Sequence, residues 1–441
     1  MRKQWKIIIV LLAAALLLLS GCSLHTVKEL YCLPKRSESF ANLQNLMDDA
    51  MSGLEYSAPL SGKNLQTVQM ADLDGDGKDE YLLFAKSGTG DPMKIFIFTS
   101  GADGYYLLDR IDCTGASFDC VEYAQMDGRP GVEIIVGRRI GEKVPKALSV
   151  FTVHEGQIEQ LLATQYTRFL CSDLDRDRLA DLFLLLPGDN TSENGLAELY
   201  NIRDGVVTRS SQVSMSRPAD KIKRIMVNQL NNNVPAVYVA SDVDGSAIVT
   251  DVFCFHNDVL MNVANDNDYD TSVNTLRNYY VYADDIDSDG TLELPSLIEM
   301  QMPEGHSRNE LQYLIHWYSL TSEGRVVTKR YTYHNYVGGW YVRFQPQDVY
   351  RITVTQQGNS YQFGIWNEDF TELEPLMTIY VLTGQKREEQ AVSENRFVLH
   401  RTESTVYAAS LEVIATEYGM SQQTMIQNFS LIQEEWNSGK T

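Results

Sequence analysis

The sequence predicts an all-β chain, a β-propeller of six or seven four-stranded blades with short flanking N- and C-terminal helices. Three observations point there. A carboxylate-rich loop recurs roughly every fifty residues. A tight hairpin turn follows each loop in nearly constant phase. A hydrophobic fraction of 44%, with 12 Pro and 29 Gly in 441 residues, excludes a disordered or collagen-like chain.

Residues 1–21 read as an export signal. Arg2, Lys3 and Lys6 form a basic start, and Ile7 to Leu19 supply thirteen consecutive apolar residues. That run is short of the ~20 a spanning helix needs and matches the apolar centre of a signal peptide. It ends in Leu19-Ser20-Gly21-Cys22, which resembles the bacterial lipobox. The resemblance implies cleavage before Cys22 and a diacylglyceryl group on its sulfur, hence a membrane-anchored, extracytoplasmic chain. Losing the signal takes the net charge from −22 to −25, so the lipid, not the charge, would hold the body to anionic headgroups. The same acidity argues against nucleic acid, since phosphate contacts need clustered Lys and Arg. Residues 22–38 form a tether of seventeen residues. At ~3.3 Å per residue its reach is at most about 56 Å.

Residues 39–54 predict the first helix, with Phe40, Leu43, Met47 and Met51 on one stripe and Gly53 as a stop. Residues 55–415 hold the repeat. Ala71 to Phe84 reads ADLDGDGKDEYLLF, Ser172 to Leu185 reads SDLDRDRLADLFLL, and Asp284 to Leu297 reads DDIDSDGTLELPSL. Each places acidic residues at loop positions 1, 3, 5 and 9, then the apolar residues of a strand. Two eroded copies begin at Gln125 and Gln229, so first positions fall at 72, 125, 173, 229 and 285. The turn residues Gly104, Gly156, Gly205, Asp258 and Gly324 follow at 32, 31, 32, 29 and 39 residues. Gly and Asn-Asp suit hairpin turns that need positive φ. Each unit is therefore strand, acidic loop, strand, connection, strand, turn, strand, which is one propeller blade. Beyond residue 335 the acidic loop is lost, but WYVRF, VYRITVTQQGNSYQFGIW, LMTIYVL and NRFVLHRTESTVYAASLEV still read as strands. They suffice for one or two further blades; seven in all is preferred, because an open fan leaves unpaired edges. Residues 416–441 predict the last helix, with Met425, Phe429, Ile432 and Trp436 on one face and Ser421 or Thr424 as cap.

The loop and turn markers together resemble the FG-GAP/VCBS repeats of integrin-α-like β-propellers, over roughly residues 64 to 335. With the lipobox, the chain resembles VCBS-repeat lipoproteins of Gram-positive bacteria. Carried over position by position, the resemblance implies calcium ligands Asp72, Asp74, Asp76 and Glu80 with the carbonyl of Lys78 in the first loop. In the third they are Asp173, Asp175, Asp177 and Asp181 with the carbonyl of Leu179, and Arg178 stands where Gly is usual. In the fifth they are Asp285, Asp287, Asp289 and Glu293 with the carbonyl of Thr291. Physical chemistry supports the assignment: alternate oxygens of a tight loop converge on one cation, and an oxygen-only set selects Ca²⁺ over zinc or copper. Crowded carboxylates repel one another without a cation. The plainer alternative is a solvated Asp/Gly turn. Up to three structural calcium ions are expected, each worth about 1.4 kcal/mol at millimolar Ca²⁺ if bound near 10⁻⁴ M. No ion is expected at the eroded loops. In the second, Arg129 would take its place and pair with Asp127 and Glu133. In the fourth, Gln229, Asn231 and Asn233 would close the turn by hydrogen bonds.

Other chemistry is sparse. No G-x-S-x-G elbow or H-E-x-x-H is present, and Ser438-Gly439-Lys440-Thr441 lacks the upstream Gly of a Walker loop. The seven His residues form no ligand-spaced pair. Six Cys exclude a disulfide scaffold; Cys113 and Cys120 are close enough in sequence to pair, while the odd number beyond Cys22 and their scatter favour free, buried thiols. Aromatic runs such as Tyr279-Tyr280-Val281-Tyr282, His316-Trp317-Tyr318 and Trp340-Tyr341 fit either a binding surface or ordinary strand propensity, the latter preferred. The functional expectation is a non-enzymatic binding or scaffold module for protein or polysaccharide at the cell surface. The alternative is a polysaccharide lyase or hydrolase on a calcium-bearing propeller.

Overall fold

Alternation of apolar and polar residues writes four short strands into each repeat, and the chain folds them as it reads them. The computed structural model describes residues 38–88, 92–141, 146–188, 193–265, 271–278, 281–305, 311–347 and 349–432. The lipobox with Cys22, the tether, Cys32 and Trp436 lie outside the described residues. Among those described, no helix is long and apolar enough to cross a membrane.

Helix α1 (Glu38–Ala50) precedes six antiparallel sheets of four or five strands. Sheet 1 holds β1 (Leu54–Tyr56), β2 (Val68–Ala71), β3 (Glu80–Ser87), β4 (Met93–Gly101) and β5 (Gly104–Cys113). Sheet 2 holds β6 (Ser117–Ala124), β7 (Glu133–Arg139), β8 (Lys146–His154) and β9 (Gln157–Tyr166). Sheet 3 holds β10 (Arg168–Ser172), β11 (Asp181–Leu186), β12 (Leu196–Arg203) and β13 (Val206–Ser214). Sheet 4 holds β14 (Ile222–Gln229), β15 (Pro235–Val243), β16 (Ala247–His256) and β17 (Val259–Asn262). Sheet 5 is built on β18 (Leu294–Glu299), β19 (Tyr313–Leu320), β20 (Val326–Asn335) and β21 (Trp340–Phe344). Sheet 6 holds β22 (Ile352–Gln357), β23 (Ser360–Trp366), β24 (Leu373–Thr383), β25 (Phe397–Arg401) and β26 (Thr405–Leu411). Neighbouring strands pair in chain order except in sheet 1, where β1 and β2 both pair with β3, and in sheet 6, where β26 lies between β24 and β25. The expected turn residues Gly104, Gly156, Gly205, Asp258 and Gly324 all take positive φ, between 61° and 118°.

Successive sheets bury apolar faces against each other. Leu82, Phe84, Ile95 and Ile97 of sheet 1 meet Phe118, Val121, Ile134 and Val136 of sheet 2. Comparable cores join sheets 2 and 3, 3 and 4, 4 and 5, and 5 and 6. The aromatic runs supply this interior: Trp317 and Trp340 are wholly buried, and Tyr318, Tyr341 and Tyr282 nearly so. Burial in strands accounts for Trp317, Tyr318, Trp340 and Tyr341, whereas Tyr282 is buried outside any strand and Tyr279 and Tyr280 lie outside the described residues.

The blade count settles at six sheets among the described residues, not the preferred seven. Neither strand pairing nor a hydrophobic cluster among those residues joins sheet 6 to sheet 1. The terminal sheets are covered by helices instead. Leu43 and Met47 of α1 pack on Leu83, Ala85, Phe96 and Phe98, the face of sheet 1 turned away from sheet 2. At the other end α2 (Arg387–Ala391) sets Ala391 against Val406 and Ala408 of sheet 6. The helices cover the outer apolar faces of the terminal sheets; they do not pair the strand edges that a seventh blade was expected to close.

The last helix is shorter than expected. Helix α3 (Gln422–Asn428) begins in a capping box of Ser421 and Thr424, then yields to strand β27 (Phe429–Leu431), which pairs with β21. Phe429 stacks on Trp340 at 5.7 Å, so a strand serves the apolar residues there better than a further helical turn. Residues Cys113, Cys120, Cys171 and Cys254 are free thiols, with no Cys113–Cys120 bridge.

The cap on sheet 1 is testable. Met47→Ala removes a buried side chain with no other element to fill the gap, and should lower stability in urea unfolding by about 2–3 kcal/mol. A change under ~0.5 kcal/mol would mean that α1 contributes no packing there.

Candidate functional site

The acidic loops lead into β3, β7, β11 and β18, and their construction begins with one buried carboxylate. Position 9 is Glu80, Glu133, Asp181 or Glu293, each 2% exposed or less. It starts the strand that follows the loop or immediately precedes it. From there it accepts the backbone N–H of position 2: Leu73 at 2.9 Å, Met126 at 2.7 Å, Leu174 at 2.9 Å and Ile286 at 3.1 Å. The position-2 side chains are themselves buried, so each loop is pinned to its sheet by an apolar plug and a charge-assisted hydrogen bond.

Further bonds repeat in the three acidic loops. The position-1 carboxylate accepts the N–H of position 6, from Gly77, Arg178 and Gly290, at 3.0–3.1 Å. The position-5 carboxylate accepts the N–H of position 7, from Lys78, Leu179 and Thr291, at 2.8–2.9 Å. Positions 4 and 6 take positive φ in all three, as Gly75 and Gly77, Arg176 and Arg178, and Ser288 and Gly290. Arg178 thus keeps the turn at a φ of 75°, a conformation that costs an L-residue about 1–2 kcal/mol. The residues Asp72, Asp173 and Asp285 occupy equivalent bends of sheets 1, 3 and 5.

Three sets of carboxylate oxygens lie within 4.8 Å of one another: Asp72, Asp74 and Glu80; Asp173, Asp175 and Asp181; Asp285, Asp287 and Asp289. Each set can hold a metal ion. Of the other expected ligands, Asp76 turns to the Lys78 ammonium at 3.3 Å. Glu293 accepts from Thr291 at 3.0 Å as well as from Ile286. The residue Asp177 pairs with Arg203.

The three loops differ in what already neutralises them. The third receives Arg203 from the end of β12: its guanidinium contacts Asp177 and reaches Asp175 and Asp181 at 3.3 Å. Asn201 adds donors to Asp175 at 2.8 Å and Asp181 at 2.7 Å. Burial still lifts Asp181 to about 6. An arginine of the same sheet therefore stands where the ion was expected, more than twenty residues away in sequence and visible only through the β11–β12 register. The fifth loop is approached from β20, where Lys329 binds Asp289 and Arg330 lies 3.7 Å from Asp287. Against burial, the Lys329 bond holds Asp289 near 2, while burial raises Glu293 to about 7. One oxygen there, Asp287 Oδ1, is buried without a hydrogen-bond donor. In the first loop the sole basic partner among the described residues is Lys78, and Asp72, Asp74 and Glu80 face each other without it.

The eroded loops follow the expectation in part. Arg129 lies 3.6 Å from Asp127, but its other end donates to the carbonyl of Asp204 in the hairpin of sheet 3, not to Glu133. Glu133 accepts from Thr152 at 3.2 Å instead. The fourth loop is shorter: Leu230 N–H donates to the Val234 carbonyl at 2.8 Å, so backbone replaces the carboxylate. Its asparagines reach sideways, Asn232 to Ser322 at 2.8 Å and Asn231 to Ser319 at 3.3 Å, and tie sheet 4 to sheet 5. The first two loops also touch, since a methyl at Gly75 would come within 2.6 Å of the Gly131 nitrogen.

A second feature, missed by sequence reasoning, is a cleft of about 730 Å³ along the edge strands β6 and β10. At its heart Asp119, 1% exposed, accepts from Arg139 at 2.7 Å, Lys146 at 2.6 Å and the Tyr166 hydroxyl at 2.7 Å. Burial opposes ionisation, yet the bonds from Lys146, Arg139 and Tyr166 hold Asp119 below its ordinary range. Burial pushes the Tyr166 phenol upward and the Cys120 thiol to about 11, so both stay protonated at neutral pH. Lys63, Glu122, Arg168 and Phe169 complete the wall. Four of these groups stand at strand ends away from the acidic loops: Arg139 closes β7, Lys146 opens β8, Tyr166 closes β9 and Arg168 opens β10.

No family model matches the chain, and no curated protein matches it. Among solved structures it is similar to a rhamnogalacturonan lyase of Bacillus licheniformis, at 13% identity and TM-score 0.29, over 73% of this chain and 72% of that one. It is also similar to the exotype rhamnogalacturonan lyase YesX, at 14% identity and TM-score 0.28 over 74% and 72%. A third is TolB of Acinetobacter baumannii, at 10% identity and TM-score 0.23 over 70% and 63%. Likenesses this low carry no argument about function; the six sheets themselves define the chain as propeller-like.

Two outcomes follow from the loop geometry. Arg203→Gln should destabilise the chelator-treated protein and make the third loop responsive to added divalent cation, seen as a melting-temperature rise larger than in the parent. An equal rise in both would deny that Arg203 neutralises that loop. For Glu133, burial raises the acid from its ordinary 4.5 to about 7. The folded state then binds the proton more tightly, so this contribution is full below 4.5 and lost as pH rises through 7, on the order of 2–3 kcal/mol. Chelator-treated protein should melt lower at pH 8 than at pH 5, and Glu133→Gln should flatten that slope; an unchanged slope refutes the assignment.

Proposed function

We propose that the chain is an exported, lipid-anchored propeller, stabilised by calcium and acting at the cell surface as a non-enzymatic binding module for polysaccharide or protein. The supporting observation is the separation of the two kinds of site. The acidic loops occupy one end of the sheets and are spent on holding turns. The basic mouth of the cleft lies at the other end, on strands those turns make rigid, where ligand sites commonly sit.

Oxygen-only donor sets favour calcium among biological cations. The first and fifth loops are the proposed sites: the first has no arginine among its carboxylates, and in the fifth Arg330 stays 3.7 Å from Asp287, whose Oδ1, like Asp173 Oδ1 of the third loop, is buried without a donor. The third loop carries its own cation in Arg203. Cys22 supplies the anchor in this reading, through the lipobox resemblance.

The cleft also favours a second reading, a polysaccharide lyase or hydrolase, because Lys, Arg and carboxylate groups converge there. Glu122, raised above its ordinary value by burial, is then the acid at hand. Binding is preferred because Tyr166 and Cys120 keep their protons, Asp119 is occupied by three donors, and no His lines the cleft among the described residues.

Calcium titration of melting tests the frame. The parent should gain stability, Asp74→Ala and Asp287→Ala should each lose about 1–1.5 kcal/mol of the gain at millimolar calcium, and the double variant should lose it all. An undiminished gain in both single variants would remove calcium from the proposal. On cells, Cys22→Ala should shift the protein from the membrane to the soluble fraction, and pull-down from the intact surface should enrich a partner without accompanying glycan cleavage.

A further inference from the structure

We infer that the cleft between sheets 2 and 3 binds an acidic saccharide, a sugar bearing a carboxylate, through Lys63, Arg139, Lys146 and Arg168. The inference rests on the binding reading above and names the ligand class for it.

Charge gives the first reason. The whole chain is at −22, yet this cleft is lined by four cations against two carboxylates, Asp119 and Glu122. A local positive excess in an acidic protein selects an anion from solution, and low-dielectric walls focus the field. Pre-organisation gives the second. Asp119 sits on β6 and fixes groups from three other strands, Arg139, Lys146 and Tyr166. Each cation uses part of its donor capacity on Asp119, since Arg139 bonds through Nε and a lysine carries three donors. The remaining N–H groups are held in place for a ligand. Lys63 is brought in by its own chain, because Leu60 and Ser61 donate to the Asp119 carbonyl at 2.8–3.0 Å.

The wall also discriminates among anions. Four cations would draw a phosphate dianion at least as readily as a carboxylate, so what favours a saccharide is what phosphate lacks: ring hydroxyls that can donate to Glu122, and an apolar C–H face. Phe169, edge-on to Tyr166 at 5.3 Å, gives an apolar surface for the C–H face of a sugar ring. At about 730 Å³ the cleft falls in the size class that buries most of a drug-sized ligand, which suits a short oligosaccharide.

Titration calorimetry on the full-length protein, with trigalacturonate as probe and neutral galactotriose as control, tests this. The acidic trisaccharide should bind saturably and more weakly at high salt, and the neutral one should not bind. Lys63→Gln and Arg168→Gln leave the Asp119 bonds intact; each should weaken binding about tenfold, with melting unchanged. Inorganic phosphate at equal concentration should fail to displace the trisaccharide, and displacement would overturn the saccharide assignment. No binding of trigalacturonate by protein that melts normally overturns the inference. So does equal binding of galactotriose, which would leave the broader binding reading standing.

Discussion

A single hydrogen bond, repeated four times, organises the loop-bearing end of this protein. A carboxylate at the threshold of the strand that follows the loop accepts the N–H of loop position 2, and both the acid and the position-2 side chain are buried. Burying an anion is unfavourable unless its oxygens are satisfied. The loop must therefore fold back over it, and that return sets the spacing of the other carboxylates. The fourth repeat lacks the acid, shortens, and lets the Val234 carbonyl take its place. The constraint is geometric before it is a metal site.

Once the loop is closed, its charge must still be balanced, and the repeats solve this differently. The first loop leaves Asp72, Asp74 and Glu80 converging, the arrangement best suited to a cation. The third balances its acids with Arg203 and Asn201 from its own sheet. The fifth is approached by Lys329 and Arg330. In the second, Arg129 bridges Asp127 to the hairpin of the next sheet, so charge neutralisation doubles as a joint between blades. Similar loops thus need not share a ligand, because the neighbouring strand decides whether room and charge remain for one.

The stack faces the same kind of problem at its ends. Every sheet buries two apolar faces, and the first and last lack a sheet on one side. Helix α1 packs on the first and helix α2 sets Ala391 against the last, so both outer apolar faces are covered without a seventh blade. The interior joints are broad aliphatic and aromatic contacts that tolerate repeat drift, which is why the eroded second and fourth repeats still make full sheets.

Local pattern was enough to read the strand grammar, the turn positions and the equivalence of Asp72, Asp173 and Asp285, because alternation and positive-φ turns are short-range properties of the chain. A helix start with Ser421 or Thr424 as cap was legible for the same reason, whereas the reciprocal box they form and the early end of that helix were not, since stacking of Phe429 on Trp340 favours a strand. The tertiary structure alone decided that Arg203 enters the third loop, that Arg129 leaves Glu133, and that Asp119 gathers Arg139, Lys146 and Tyr166 into a cleft. Those partners come from different strands, and which charges meet depends on sheet register and on how one sheet faces the next, neither of which a run of neighbouring residues encodes.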